Sequence, residues 1–310
     1  MHSRPSGFRH IGVLIASPSP ESHPYTQAFV AAFTQALRQL GWVEGKNLRT
    51  DYRFAAGDPA LFKAYAAELV ALAPDAILAS TPPALAALQR QTRTIPIVFA
   101  LVSDPVGQGF VQSIARPGGN ITGFSVADAP VMGKWLQLLK EIAPGITRVI
   151  VIFSPETTPN TRLLNRAIEA AGPSLAITAT LAPVHDDAGI EEAIGVLARE
   201  PGGGLVILPD SFNATHSDVI VAAAIRYKLP SIGFTELVRA GCLMSYWSEA
   251  IELHAQAASY IDRILRGANP ADLPVQYPTK FPLIINLKTA KALGLTVPPT
   301  MLDLADEVIE

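Results

Sequence analysis

Short β-branched runs alternate with amphipathic stretches along the whole chain. Strand-like runs are expected at Ile11–Ala16, Leu48–Phe54, Ala76–Leu78, Ile97–Ala100 and Ile121–Phe124. A second series is expected at Arg148–Phe153, Ala176–Thr180, Leu205–Leu208, Ser231–Phe234 and Cys242–Ser245. Between them the apolar period becomes helical. Phe29, Ala32, Phe33, Ala36, Leu37 and Leu40 share one face of a helix over Tyr25–Leu40 that stops at Gly41. Asp58-Pro59 is a cap followed by proline at the first helical position, with Leu61, Phe62, Tyr65, Leu69 and Leu72 as its buried stripe. Thr81-Pro82 and Thr158-Pro159 repeat that start signal. Strands alternating with helices of this length build βαβ units and parallel sheets. Two series of strands predict two such sheets: an α/β protein of two Rossmann-like αβα lobes.

The first boundary follows the turn-rich block Arg116-Pro117-Gly118-Gly119-Asn120 and one more strand, which places a crossing near Phe124. A long helix from about Ser248 to Arg266, a Pro-rich connector, a strand over Phe281–Asn286 and a short helix ending at Gly294 do not fit a simple split. A helix returning to the first lobe and a strand returning to the second would make three interlobe crossings. The expected lobes are 8–124 with 247–276, and 125–246 with 277–310, with a ligand cleft between them. Met1 to Gly7 reads as a leader or truncation scar.

Composition narrows the classes. The chain has 310 residues, enough for about two domains. Lys and Arg number 24 against 27 Asp and Glu, a net charge of −3 that excludes a generally basic nucleic-acid binder. Charged residues are 16% where about 25% is usual, and 49% are hydrophobic, so much of the chain is buried. No apolar run approaches the roughly 18 residues of a membrane helix, and Ile11–Ala16 is too short for a signal-peptide core. A single cysteine, Cys242, excludes an internal disulfide and a cysteine metal cluster; in its apolar run it reads as a small buried hydrophobe. No dinucleotide fingerprint, P-loop, nucleophile elbow or zinc-protease motif occurs. The six histidines show no helical metal spacing, and His254 reads as a half-exposed helix residue. Glu191-Glu192 reads as first-turn helix acid, and Asp303, Asp306, Glu307 and Glu310 as a solvated helix face. No catalytic residue, metal or cofactor is expected.

What remains is a set of strand ends rich in small polar and aromatic groups. In open parallel sheets, ligands bind at the carboxyl ends of strands. The candidate ligand-binding residues are Ser17, Tyr25, Ser80, Thr81, Pro82, Ser103, Asp104 and Ser125 in the first half, and Ser154, Asp210, Phe234 and Tyr246 in the second. Hydroxyls and helix N-termini can hold a carboxylate, one acidic side chain an ammonium, and aromatic rings an apolar body. Asp104 before Pro105 reads first as a helix N-cap. Asp210 has no evident capping register, which leaves it open as an ammonium partner. Phe234 and Tyr246 suit either hinge packing or ligand stacking. Trp42 and Trp135 are better explained by packing.

Several ordered segments carry a family likeness: Gly41-Trp42-Val43-Glu44-Gly45-Lys46-Asn47, Pro96-Ile97-Val98-Phe99-Ala100, Ser103-Asp104-Pro105-Val106-Gly107, and Ala115-Arg116-Pro117-Gly118-Gly119-Asn120-Ile121-Thr122-Gly123. Leu208-Pro209-Asp210, Gly241-Cys242-Leu243-Met244-Ser245-Tyr246, Asp262-Arg263-Ile264-Leu265-Arg266-Gly267, Pro278-Thr279-Lys280-Phe281 and Ile285-Asn286-Leu287-Lys288-Thr289-Ala290 continue it. With these the chain resembles, from about residue 10 to 310, the ABC-transporter substrate-binding proteins that include tryptophan- and tyrosine-type uptake proteins of bacteria. The resemblance implies a type-I periplasmic-binding fold, periplasmic capture of a small organic solute, and delivery to an ABC permease in the inner membrane. It implies that some relatives take aromatic amino acids. The expected protein is therefore a non-enzymatic binder of an amino acid with an apolar side chain or a related organic acid, a monomer that closes by hinge motion near Phe124, Tyr246 and Tyr277. The rivals are an enzyme on the same scaffold, and a ligand sensor such as a receptor ectodomain or the core of a lac-repressor-like regulator. Ser17-Pro18-Ser19-Pro20 and Pro155 to Pro159 depart from the usual pattern at two expected cleft stretches.

Overall fold

The computed structural model describes residues 8–126, 130–158 and 162–310. The chain forms β1 (Arg9–Ile15), α1 (Pro24–Gln39), β2 (Leu48–Phe54), α2 (Pro59–Ala71), β3 (Ala76–Ser80), α3 (Pro82–Gln91), β4 (Ile97–Val102) and β5 (Ile121–Ser125). Then come α4 (Pro130–Ile142), β6 (Arg148–Phe153), α5 (Arg162–Ala171), β7 (Thr178–Pro183), α6 (Asp187–Leu197), β8 (Gly203–Ile207), α7 (Ser211–Thr215) and α8 (Ser217–Arg226). The last elements are β9 (Ser231–Gly233), α9 (Thr235–Ala240), β10 (Met244–Tyr246), α10 (Ala250–Leu265), β11 (Leu283–Asn286), α11 (Leu287–Leu293), α12 (Pro299–Leu304) and β12 (Glu307–Ile309).

Two compact units result: Met1–Val126 with Ala250–Pro278, and Ala127–Glu249 with Thr279–Glu310. The chain passes from one to the other after Val126, Glu249 and Pro278, each point a few residues beyond where the sequence pattern put it.

In unit 1 the sheet runs β2-β1-β3-β4-β5, all parallel. Strand order reverses direction between β1 and β3. The core is Leu14, Phe62, Leu69, Ile77, Leu85 and Phe99, all buried. Asp58 caps α2 by accepting from the Ala60 amide at 2.7 Å, and Phe62, Ala66 and Leu69 form its buried stripe. On α1, Phe29, Phe33 and Leu37 stack on one side. The helix ends as Gly41 turns to φ 94° and Trp42 donates its amide to Leu37 O at 2.9 Å. The Trp42 indole then donates to Asp262 Oδ1 at 2.8 Å, tying the α1 end to α10. Gly123 is obligatory: with φ 157°, a Cβ there would sit 2.1 Å from Phe99 O.

In unit 2 the sheet runs β12-β11-β10-β9-β8-β6-β7. The strands β6 to β10 are parallel, β11 is antiparallel to β10, and β12 is parallel to β11. Here the reversal of strand order falls between β6 and β8. Trp135, Leu139, Val151, Ile152, Ile194, Leu205 and Ile220 fill the core.

Several local expectations are corrected. The strand expected from Ala176 begins at Thr178, because Ala176 takes a left-handed φ of 54° after the 3₁₀ turn Pro173–Leu175. The C-terminus is not one solvated helix face. The helix stops at Leu304, Asp306 Oδ2 accepts from the Leu283 amide at 2.8 Å, and Glu307 enters β12 with both oxygens on Arg239 at 3.0 Å. Glu191 lies past the first turn of α6, where Asp186 is the cap, and pairs with Arg226 at 2.9 Å. The start signal at Thr158-Pro159 falls at the edge of the described residues, and Pro159 lies outside them.

Candidate functional site

In a doubly wound sheet the reversal of strand order splays two loops apart at the carboxyl edge. In unit 1 that edge is the ends of β1 and β3. Ser17 is half-buried in the bend after β1, and Tyr25 is half-buried in the first turn of α1. At the end of β3, Ser80 is buried and its hydroxyl lies 2.9 Å from His254 Nε2. His254 Nδ1 lies 2.7 Å from Ala250 O, which can only accept, so Nδ1 carries the ring hydrogen. Nε2 is then the acceptor and Ser80 the donor. Phe29 covers the imidazole at a centroid distance of 3.9 Å. Burial pushes the His254 pKa down to about 4. The sequence pattern suggested a half-exposed residue; it is instead 1% exposed.

Thr81 is the most strained residue at this edge. Its φ of 82° and ψ of 159° fall in a region that is nearly glycine-only. Its amide is held by Ala100 O at 3.0 Å, while its buried hydroxyl has no partner. Pro82 opens α3 and is followed by Pro83. Neither proline has an N–H, so this helix start offers hydroxyl and ring surface in place of backbone donors.

The remaining unit 1 candidates have structural partners. Asp104 does not cap a helix: at φ 43° it heads a turn, its Oδ1 accepting from the Gly107 amide at 2.9 Å. Ser103 gives its carbonyl to Gln108 Nε2 at 2.6 Å. Ser125 is fully buried and donates its hydroxyl to Val102 O at 2.7 Å, fastening β5 to β4.

In unit 2 the reversal lies between β6 and β8. Ser154 after β6 donates its amide to Asp210 Oδ2 at 3.0 Å and its hydroxyl to Glu156 Oε2 at 2.7 Å. Glu156 also meets His185 Nδ1 at 2.7 Å. The Ser154 hydroxyl, ahead of the histidine, holds the Glu156 carboxyl below its ordinary range against the opposing effect of burial. Asp210 follows β8 and is a cap after all: its Oδ1 accepts from the Asn213 amide at 2.6 Å. The Thr158 hydroxyl and the Phe212 amide also donate to it. Burial nevertheless prevails and lifts its pKa to about 6. Its register was hidden because α7 is a single short turn, too brief for an apolar period. Phe234 is buried at the start of α9, and Tyr246 ends β10 with its carbonyl accepting from the Trp135 indole at 2.7 Å and its ring 5.9 Å from Phe281.

Among the described residues, five buried side-chain polar atoms lack any hydrogen-bond partner: Thr81 Oγ1, Ser211 Oγ, Asn213 Oδ1, Thr235 Oγ1 and Ser245 Oγ. All five lie at carboxyl edges. Thr81 follows β3, Ser211 and Asn213 follow β8, Thr235 follows β9, and Ser245 lies within the three-residue β10; these three strands are neighbours in the unit 2 sheet. Each orphan costs on the order of 1–3 kcal/mol, and such clusters mark a place where a ligand or water completes the bonding. Of the five, only Thr81 stood among the sequence candidates. Ser211, Thr235 and Ser245 adjoin Asp210, Phe234 and Tyr246, so the strand-end signal was present, but nothing in sequence tells a satisfied hydroxyl from an orphan.

Chemically, the edges bind better than they react. Ser80 and His254 have the spacing of a nucleophile and its base, but the orienting group is a carbonyl, not a carboxylate, and burial opposes imidazolium formation. Cys242 is buried and its thiol is pushed up to about 11, so it is unreactive. Among the described residues no group of three or more His, Cys, Asp or Glu could hold a metal ion, and no helix is long and apolar enough to cross a membrane.

Two αβα units with doubly wound sheets have the architecture of the periplasmic-binding type. The sequence model of the ABC transporter substrate binding proteins matches residues 15–309. The chain belongs to that family, whose members bind and do not catalyse. A tyrosine-binding protein of Clostridioides difficile is 26% identical over 88% of this chain and 78% of its own length. A conserved domain protein of Vibrio cholerae is 30% identical, with a TM-score of 0.89 over 97% of this chain and 99% of that one. A Streptococcus pneumonia ABC domain solved with L-Trp has a TM-score of 0.87 at 24% identity, covering 97% and 100% of the two chains.

Proposed function

We propose that this chain is the periplasmic solute-binding component of an ABC importer and that its solute is an aromatic or other apolar amino acid. The orphaned polar atoms at the two carboxyl edges carry this assignment: they are neutral groups in want of partners, and the Asp210 carboxylate, bonded to the Asn213 amide, lies among those of unit 2. That balance suits a zwitterion better than an organic anion. Asp210 faces the ammonium. The Thr81, Ser211, Thr235 and Ser245 hydroxyls take the carboxylate and the polar rim, and Tyr25, Phe234 and Tyr246 flank the side chain. The tyrosine-binding relative and the L-Trp complex support the ligand class.

The two units act as halves of one grip, closing by hinge motion at the passages after Val126, Glu249 and Pro278. The solute stabilises the closed form because it satisfies both halves at once. The protein works as a monomer that delivers its load to an inner-membrane permease. A thermal-shift panel of amino acids and matched organic acids, run on refolded and ligand-stripped protein, tests the assignment. A solute at a hundredfold its Kd adds about 2.7 kcal/mol, a rise of several degrees. The expected hits are aromatic amino acids. A panel in which organic acids or sugars shift the protein and no amino acid does would contradict it.

A further inference from the structure

Among the described residues of unit 2, Asn213 is the one orphan whose polarity is fixed. Its Nδ2 donates to Ile152 O at 3.1 Å and to Leu208 O at 2.8 Å. Those carbonyls sit at the carboxyl ends of β6 and β8, on either side of the reversal in strand order. Rotating the amide would press its oxygen against two carbonyl oxygens, so the carboxamide has one orientation. Its Oδ1 is therefore held as an acceptor, in a side chain that is 0% exposed, with no donor. A hydroxyl orphan can turn and either give or take; this oxygen can only take.

Its neighbour Asp210 is in the opposite condition. The carboxylate already receives the Asn213 and Ser154 amides, the Thr158 hydroxyl and the Phe212 amide. A carboxylate offers about four lone-pair sites, so Asp210 has charge to give and little room for another hydrogen bond. The two residues are joined directly, Asn213 N to Asp210 Oδ1 at 2.6 Å.

We propose that Asn213 Oδ1 is the direct hydrogen-bond acceptor for the ammonium of the solute, with Asp210 as the charge behind it, so that Asn213 makes the protein select free amines over deaminated analogues. This rests on the amino-acid assignment above and adds to it which atom discriminates.

The test uses the wild-type protein labelled at the asparagine carboxamides, with L-tyrosine and 3-(4-hydroxyphenyl)propionate as probes. The second probe lacks only the amino group. L-tyrosine is expected to bind at least about tenfold tighter and to move the Asn213 carboxamide carbon resonance; the deaminated probe is expected to leave that resonance in place. In Asn213→Ser, checked for folding by its melting curve, tyrosine is expected to lose about tenfold in affinity and the deaminated probe less than about twofold. Tyrosine binding with an unmoved Asn213 resonance, or an equal shift with both probes, overturns this inference and leaves the amino-acid assignment standing. Binding of neither probe nor any other amino acid overturns both.

Discussion

The two units share one order of five parallel strands and set different ionisable groups beside the reversal of that order. At the β1/β3 reversal, unit 1 buries His254, neutral and locked between Ala250 O and Ser80. At the β6/β8 reversal, unit 2 places Asp210, hemmed by donors. The helix starts differ in the same sense. α3 opens with two prolines that offer no N–H, whereas α7 spends its first-turn N–H groups on Asp210 itself. One unit thus offers a strained hydroxyl beside a pinned serine, the other a set of acceptors backed by charge. A single winding pattern thus carries chemically unlike strand ends in the two units, the asymmetry on which the proposed zwitterion assignment draws.

The largest expected effect confines damage to one unit. Gly123→Ala would drive a methyl into the Phe99 carbonyl at the β4–β5 pairing. It should cost unit 1 about 4 kcal/mol, seen in calorimetry as one early transition with the unit 2 transition in place. A single cooperative transition shifted as a whole would show that the units do not unfold separately.

The second effect is opposite pH dependence. His254 has a folded pKa near 4, below its ordinary 6.5, so the unfolded chain takes the proton first. Its contribution is complete above pH 6.5 and is lost as pH falls towards 4, about 3 kcal/mol in all. Asp210 has a folded pKa near 6, above its ordinary 3.8, so the folded chain holds the proton longer. The Asp210 contribution to unit 2 is therefore largest at acid pH and falls by about 3 kcal/mol as pH rises from 3.8 to 6. In the whole chain these trends nearly cancel; resolved calorimetric transitions should cross. His254→Gln should abolish the trend in unit 1 alone and Asp210→Asn the trend in unit 2 alone.

Thr81→Gly sharpens the contrast at smaller cost. Glycine accepts φ 82° without strain, so unit 1 should gain about 1 kcal/mol, while loss of the hydroxyl should weaken an aromatic amino acid about tenfold. Isothermal titration beside a melting curve reads both. Smallest of all, Asp104→Asn should change stability and affinity by less than about 0.5 kcal/mol. The Asn side chain still accepts from Gly107 and tolerates the left-handed backbone.

Much of the architecture is legible from sequence because hydrophobic period and punctuation both reported it. Leu48–Phe54 and Arg148–Phe153 are strands over the expected residues, and Asp58-Pro59 caps α2 as its pattern required. The misses have physical causes. β12 is short, half-buried and acidic, and is a strand only because β11 lies beside it. His254 is polar on an otherwise apolar stripe, and only the fold shows that β3 brings Ser80 to it. Asp210 and Asn213 form a cap in a turn too short to have a period. Strand ends could be listed from sequence, and hydroxyl-rich ones favoured. Which hydroxyl is spent, as in Ser125, and which is orphaned, as in Thr81, depends on partners far away in the chain.

The central claim is that one amino acid completes the orphaned groups of both edges. A crystal structure of the protein with bound L-tyrosine tests it most directly. The ligand ammonium should lie within about 3.2 Å of Asn213 Oδ1, and its carboxylate at similar distance from Thr81 Oγ1. A ligand seated elsewhere, with waters bonded to Thr81 and Asn213, would contradict the account.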